Sequence, residues 1–192
     1  KHIKLNNFNF VHCLLSMTGI FRPQPFIDGD IICLYNGEIY NYNDFGNYNT
    51  DGECIIPLYR EHGNSFVEKL DGEFAVVLVD FNKDKLIFST DIFSIKPLWL
   101  AIDDNDIGIS SYESCLKRLE FKNIRQLEAN KTHVYRLSTL KKLEINRVYT
   151  FDLTQHKTTF DDWNVSFENA IKKRTSGIKH GIFIGLSAGY DS

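Results

Sequence analysis

The sequence lacks an apolar run that could cross a bilayer. Its longest run, residues 74–79, falls far short of the roughly 18 residues that a spanning helix needs. No apolar leader follows Lys1, and the only methionine is Met17. The missing initiator methionine predicts that a segment upstream of Lys1 was removed, lost or not included. We therefore expect no membrane partner and a cytoplasmic location.

Basic blocks and paired cysteine motifs are also absent. The 22 Lys and Arg residues are spread along the chain against 25 Asp and Glu, which leaves a net charge of −3. No stretch of the sequence is therefore suited to tracking phosphates, and nucleic acid is not an expected partner. Cysteines are few, have no CxxC spacing and sit among apolar neighbours, which predicts buried, reduced thiols. They are Cys13, Cys33, Cys54 and Cys115.

The first two thirds of the chain alternate between apolar segments and polar turns, as strands do. Residues 31–35 predict a strand that runs into a turn at Asn36-Gly37. Residues 74–81 and 86–88 predict one hairpin, and residues 98–102 and 107–109 predict a second. Hairpins in succession indicate antiparallel sheets and an α+β domain.

Two helices are predicted. Thr50 and Glu53 match a capping box, apolar residues follow at helical spacing, and Gly63 can end that helix. Residues 160–174 carry an apolar stripe and end in three basic residues, which favour a helix C-terminus. Residues 181–186 then read as a buried strand. The change from successive hairpins to a helix followed by a buried strand predicts two units. These are an α+β domain over residues 1–155 and the start of an α/β domain over residues 156–192.

Three segments could carry chemistry. Residues 187–192 (Ser-Ala-Gly-Tyr-Asp-Ser) follow the predicted strand and could cradle an anion, or could be a plain strand-to-helix turn. Asn36 and Gly37 could form an oxyanion hole, or a tight turn. Asp51 could bind a ligand amine, or only stabilise the first turn of its helix. From the residues alone, the structural interpretation is as well supported as the functional one for residues 187–192. It is the better supported of the two for Asn36-Gly37 and for Asp51.

Taken in order, these segments resemble glutamine-hydrolysing asparagine synthetases. Residues 35–41 (Tyr-Asn-Gly-Glu-Ile-Tyr-Asn) are similar to that family's NGEIYN segment, and residues 50–53 to its SDxE segment. Residues 70–75 resemble LxGxFAF, residues 91–98 resemble RDxxGxKPLY, and residues 187–192 resemble the SGGLDS pyrophosphatase loop. The resemblance spans residues 12–192.

The resemblance implies a four-layer αββα sandwich of two antiparallel sheets, followed by the first strand and loop of an ATP-pyrophosphatase domain. An N-terminal cysteine would attack the glutamine side-chain amide, and ammonia would pass to aspartate activated by ATP and Mg²⁺. The family also allows a homodimer. By resemblance, Asn36 and Gly37 would form the oxyanion hole, whereas Asp51, Glu38 and Leu15 would bind glutamine. The ATP pyrophosphate would lie on Ser187, Gly189, Asp191 and Ser192.

The departures from that family pattern leave two hypotheses. Lys1 stands where the resemblance expects the nucleophilic cysteine, so we expect this chain alone to be inactive. Leu14 replaces the arginine that would grip the glutamine carboxylate, and Ala188 replaces a glycine of the terminal loop. The first hypothesis is that the chain is part of a glutamine-dependent asparagine synthetase. The alternative is a relic amidotransferase domain that serves as a structural module of a synthetase related to β-lactam-forming enzymes.

Overall fold

The computed structural model describes residues 1–17, 19–104, 106–176, 178, 181–185 and 189. Across these ranges, eleven strands form three antiparallel sheets. The largest sheet contains, in spatial order, β11 (Lys142–Arg147), β10 (Lys131–Arg136), β6 (Lys85–Thr90), β5 (Gly72–Asp80), β4 (Ile31–Ile39) and β3 (Phe26–Asp28). The second sheet contains β8 (Asp106–Ser110), β7 (Trp99–Asp103) and β9 (Ile124–Gln126). A separate hairpin pairs β1 (His2–Leu5) with β2 (Phe8–Val11).

Three α-helices complete the described part of the chain: α1 (Ile55–His62), α2 (Glu113–Arg118) and α3 (Asp161–Thr175). One face of the large sheet packs on α1, where Tyr35 of β4 and Tyr59 of α1 share a core. The other face packs on the second sheet, where Ile32 of β4 joins Leu100 of β7. Leu116 of α2 packs on Gly108 of β8, on the face of the second sheet that points away from the large sheet. The order of layers is helix, sheet, sheet, helix, and it confirms the predicted αββα sandwich.

Both predicted hairpins are present because turn residues interrupt apolar strands. Asp80 of β5 pairs with Lys85 of β6, and Asp103 of β7 pairs with Asp106 of β8. The strand predicted over residues 31–35 is also present, but the turn at Asn36-Gly37 is wrong. These two residues continue β4, which pairs with β5 through Ile39. Burial of the long strand against β5 outweighs the local turn preference of Asn-Gly.

The capping box predicted at Thr50 does not form. A 3₁₀ turn over Asp51–Cys54 precedes α1, and the Thr50 side chain makes no cap hydrogen bond. Its hydroxyl instead donates to Asp51 Oδ1 at 3.1 Å. Glu53 accepts from the backbone N–H of Asn49 at 3.0 Å, one residue before the expected partner. Helix α1 ends at His62, and Gly63 follows as its C-cap with φ of +59°, as predicted.

Helix α3 matches the prediction for residues 160–174, but its apolar stripe is exposed. Trp163 stacks on Phe167 with ring centroids 5.2 Å apart, and more than half of each side chain is open to solvent. Two basic side chains in the last turn of α3 contact residues next to strands of the large sheet. Lys173 Nζ lies 2.6 Å from Asp71 Oδ2, and the Arg174 guanidinium lies 4.4 Å from the ring centroid of Tyr40.

Two further predictions are wrong. Cys13 and Cys115 are exposed, whereas Cys33 and Cys54 are buried as expected. Within residues 181–185 the chain forms no strand and is exposed, although a buried strand was predicted over residues 181–186. An apolar segment becomes a buried strand only when neighbouring strands and a helix cover it, and no described residue does so here. Over the described ranges, no helix is both long and apolar enough to traverse a membrane.

Candidate active site

A cavity of about 100 Å³ lies beside β4, beyond the point where β3 stops pairing with it. Its walls come from residues 12–17, from the segment after them, from β4 and from the turn before α1. The site residues predicted for glutamine meet in this one cavity. They are Leu15, Asn36, Gly37, Glu38 and Asp51.

Asp51 is buried at the inner wall, with 5% of its surface exposed. Its Oδ2 accepts from the Tyr35 hydroxyl at 2.5 Å and from the Ile39 N–H at 2.9 Å. Its Oδ1 accepts from the Thr50 hydroxyl at 3.1 Å and from the Gly52 N–H at 2.9 Å. Four donors therefore occupy the acceptor sites of this carboxylate. A ligand amine can bond to Asp51 only by displacing one of them.

Tyr35 acts as a hydrogen-bond donor to Asp51. Burial and the neighbouring Asp51 carboxylate raise the pKa of Tyr35 well above its usual value. The hydroxyl therefore keeps its proton at neutral pH. Sequence reasoning did not select Tyr35 as a site residue. The available signal was strand alternation, which places Tyr35 and Gly37 on the same face of β4.

Gly37 occupies a position that only glycine fits. Its φ is +142°, and a Cβ built there would lie 1.9 Å from the carbonyl oxygen of Glu73 on β5. The backbone N–H groups of Tyr35 and Ile39, two residues before and after Gly37, point to the edge of β4 that borders the cavity. The Tyr35 N–H donates to Gln24 Oε1 at 2.7 Å, and the Ile39 N–H donates to Asp51. Gly37 lies between these two anchored groups.

His12 supports the same edge of β4. Its Nε2 lies 3.0 Å from the Tyr35 carbonyl oxygen, so that nitrogen carries the proton and donates. Its Nδ1 is buried and has no hydrogen-bond partner among the described residues. Burial lowers the pKa of His12, more than the bond to Tyr35 raises it. His12 is thus a neutral lining residue, which sequence reasoning missed together with Gln24.

Leu14 and Arg22 also line the cavity. Leu14 stands where the sequence resemblance expects an arginine, and its side chain offers no charge or hydrogen bond. Arg22 was not selected from the sequence because it follows no motif. Its Nε lies 3.2 Å from Glu53 Oε1, and its side chain is 58% exposed.

The cysteines differ in their ability to act as nucleophiles. Burial raises the pKa of Cys33, and it raises the pKa of Cys54 to about 12. Both thiols are therefore protonated and unreactive at neutral pH. Cys13 is exposed and lines the cavity, which was not foreseen from the sequence.

Most of the loop proposed for ATP lies outside the described residues. Ser187, Asp191 and Ser192 lie outside the described residues, and Gly189 is an exposed residue in a bend. The pyrophosphate role of these four residues stays a prediction. Among the described residues, no group of three or more His, Cys, Asp or Glu side chains could hold a metal ion.

Comparison with known proteins gives consistent matches. A family model described as a glutamine amidotransferase domain matches residues 15–118. The chain is 30% identical to asparagine synthetase [glutamine-hydrolyzing] 1 of Saccharomyces cerevisiae, over 97% of this chain and 35% of that protein. It is 41% identical to asparagine synthetase [glutamine-hydrolyzing] 2 of Bacillus subtilis, over 40% of this chain and 12% of that protein. Some curated relatives match almost the whole chain, and the chain spans about a third of their length.

A solved structure supports the fold. The chain superposes on glutamine phosphoribosylpyrophosphate amidotransferase from Bacillus subtilis with a TM-score of 0.56 and 14% sequence identity. The superposition covers 67% of this chain and 32% of that protein. At this identity the likeness bears on the sandwich architecture alone.

Proposed function

Because the chain belongs to the family of glutamine amidotransferase domains, in the form found in glutamine-hydrolysing asparagine synthetases, we propose that its cavity binds glutamine. The observation that carries this proposal is the convergence of Asn36, Gly37 and Asp51 on one cavity beside β4. A carboxylate for the α-amino group and N–H donors for the side-chain amide are what glutamine requires.

Asn36 and Gly37 would contact the amide end of glutamine. Alternate residues of an antiparallel strand present their N–H groups to the same edge. The N–H groups of Tyr35 and Ile39 face the cavity edge, so the N–H of Gly37 between them is expected there as well. Asn36 is exposed in the cavity wall and adds an amide donor. Such donors stabilise the oxyanion that forms when an amide carbon is attacked.

Asp51 would contact the ammonium end. The Thr50 hydroxyl makes the longest of its four hydrogen bonds and can rotate away, so we expect the ligand ammonium to take that place. Glu38 and Leu15 line the same cavity and would complete the binding surface. The buried carboxylate stays fixed because Tyr35, Ile39 and Gly52 continue to donate to it.

These 192 residues would bind glutamine without hydrolysing it. The resemblance calls for a cysteine nucleophile, and Cys33 and Cys54 are buried and protonated at neutral pH. In the whole protein, the proposal extends to ATP- and Mg²⁺-driven amidation of aspartate or a related acid, in the cytoplasm and with a homodimer as one candidate assembly. The free cysteines support a reducing compartment. Leu14 supports the alternative, a non-hydrolytic structural module.

Calorimetric titration of the purified chain tests the proposal. We expect saturable binding of L-glutamine and none of D-glutamine, which places its charged groups differently on the same walls. Equal heats for both enantiomers, or no saturable heat, would refute glutamine binding. An ammonia assay on the same sample is expected to show no release above background. If ammonia appears, Cys13→Ser will show whether the thiol in the cavity wall is responsible.

A further inference from the structure

We infer that Arg22 binds the α-carboxylate of the amino acid in this cavity, an inference that rests on the proposed function. Glutamine is a zwitterion, so a site that holds its ammonium near Asp51 also needs a cation for its carboxylate. Among the described lining residues, Arg22 carries the only permanent positive charge. His12 is kept neutral by burial, which lowers its pKa.

The segment that carries Arg22 is anchored on both sides, by a backbone hydrogen bond of Ile20 and by the side chain of Gln24. The N–H of Ile20 donates to the Asn49 carbonyl oxygen at 3.0 Å. Two residues after Arg22, Gln24 accepts from the backbone N–H of Tyr35. The segment between these anchors is short, so the backbone of Arg22 is held beside the cavity, and its ion pair with Glu53 directs the side chain.

One turn fixes both charges that the ligand needs. Asp51 and Glu53 lie two residues apart in the 3₁₀ turn before α1. Glu53 Oε1 pairs with Arg22 Nε at 3.2 Å, and Glu53 Oε2 accepts from the N–H of Asn49 at 3.0 Å. The acid for the ammonium and the cation for the carboxylate are therefore positioned by the same four residues.

The guanidinium group retains donors for a ligand. Its Nε is used by Glu53, and no described residue is bonded to its two terminal nitrogens. These nitrogens lie in one plane and can donate together to a carboxylate. Leu14, on the same cavity wall, offers no such donor. Arg22 thus supplies from a different segment the charge that position 14 lacks.

Calorimetric titration with two ligands tests the inference. L-Glutamine carries the α-carboxylate, whereas L-glutaminamide replaces it with an uncharged amide. In Arg22→Gln we expect the Kd for L-glutamine to rise about ten-fold or more, because a charge-assisted hydrogen bond contributes that much. The Kd for L-glutaminamide should stay as in wild type. The exposure of the Arg22 side chain makes this variant compatible with folding, which circular dichroism can verify.

Two further variants separate ligand binding from a structural ion pair. Glu53→Gln breaks the pair and loosens Arg22 but keeps its charge, so we expect the Kd for L-glutamine to rise clearly less than in Arg22→Gln. Arg60→Gln removes an equally exposed, ion-paired arginine outside the cavity and should change nothing. The inference is overturned if Arg22→Gln binds L-glutamine like wild type, or weakens both ligands equally, or if Glu53→Gln loses as much affinity. Absence of binding to the wild type would instead refute the proposed function itself, and this inference with it.

Discussion

The Tyr35 hydroxyl lies 2.5 Å from Asp51 Oδ2, and both side chains are buried. Tyr35→Phe removes this donor from a buried carboxylate while leaving the ring in the core. We expect the free energy of unfolding to fall by about 1.5–3 kcal/mol, which is typical of hydrogen bonds to charged groups. Urea denaturation measures the change. Tyr112→Phe is the matched control, because Tyr112 is 71% exposed. A Tyr35→Phe variant as stable as that control would show that Asp51 does not depend on this bond.

Gly37→Ala is expected to be among the most damaging small substitutions in the cavity wall. Its φ of +142° strains any L side chain, and its Cβ would overlap the Glu73 carbonyl oxygen. We expect the free energy of unfolding to fall by about 3 kcal/mol or more, because strain and overlap act together. Gly29→Ala provides the control, since Gly29 also has a positive φ but nothing within 4 Å. In the control, the free energy of unfolding should fall by only about 1–2 kcal/mol. Thermal unfolding of both variants compares them, and equal losses would contradict the close approach at Gly37.

Leu14→Arg should rescue a chain that lacks Arg22. In the Arg22→Gln background, an arginine at position 14 returns a cation to the same cavity. We expect the affinity for L-glutamine to recover by about ten-fold. Leu119→Arg in that background adds the same charge at an exposed position outside the lining and should recover nothing. No recovery with Leu14→Arg would mean that position 14 cannot reach the ligand carboxylate.

His133 makes stability depend on pH. The ring is buried, stacks on Phe88, and has no hydrogen-bond partner for either nitrogen among the described residues. Burial, and then the positive charge of Arg125, lower the pKa of His133 to about 4. The unfolded chain, with an ordinary histidine pKa near 6.5, binds the proton first as pH falls. The stability due to the neutral ring is therefore fully present above about pH 6.5 and is lost as pH falls toward 4.

His133→Phe tests that dependence without removing the stacked ring. We expect the wild type to lose up to about 3 kcal/mol from this group between pH 6.5 and pH 4. The variant should lack that part of the decline. Urea denaturation at several pH values gives both curves. Parallel curves for the two proteins would show that His133 titrates alike in the folded and unfolded states.

The sheets could be predicted largely because their signals are local. The turn residues between residues 80 and 85 and between residues 103 and 106 interrupt apolar runs, and both hairpins formed there. The turn predicted at Asn36-Gly37 was wrong because a cross-strand constraint decides that position. Gly37 is needed where β4 approaches Glu73, and no local pattern reports the distance between strands.

The cavity was only partly foreseeable. Ordered motifs indicated Asn36, Gly37 and Asp51, which the structure brings together. Arg22 and Gln24 gave no signal because their positions follow from contacts with Glu53 and Tyr35, far along the chain. Thr50 was assigned to a helix cap, yet its hydroxyl bonds to Asp51. Competition between a backbone N–H and a buried carboxylate for one hydroxyl cannot be read from spacing.

The attachment of α3 has an electrostatic consequence for the rim of the cavity. Glu38 of β4 and Glu73 of β5 stand directly opposite each other, an arrangement of like charges that weakens strand pairing. Arg174 at the end of α3 lies 3.8 Å from Glu73 and compensates part of that repulsion. A displacement of α3 would therefore remove this cation from Glu73, which faces a carboxylate that lines the cavity. Loosening a helix far along the chain would thus increase the repulsion between β4 and β5 at the edge of the cavity.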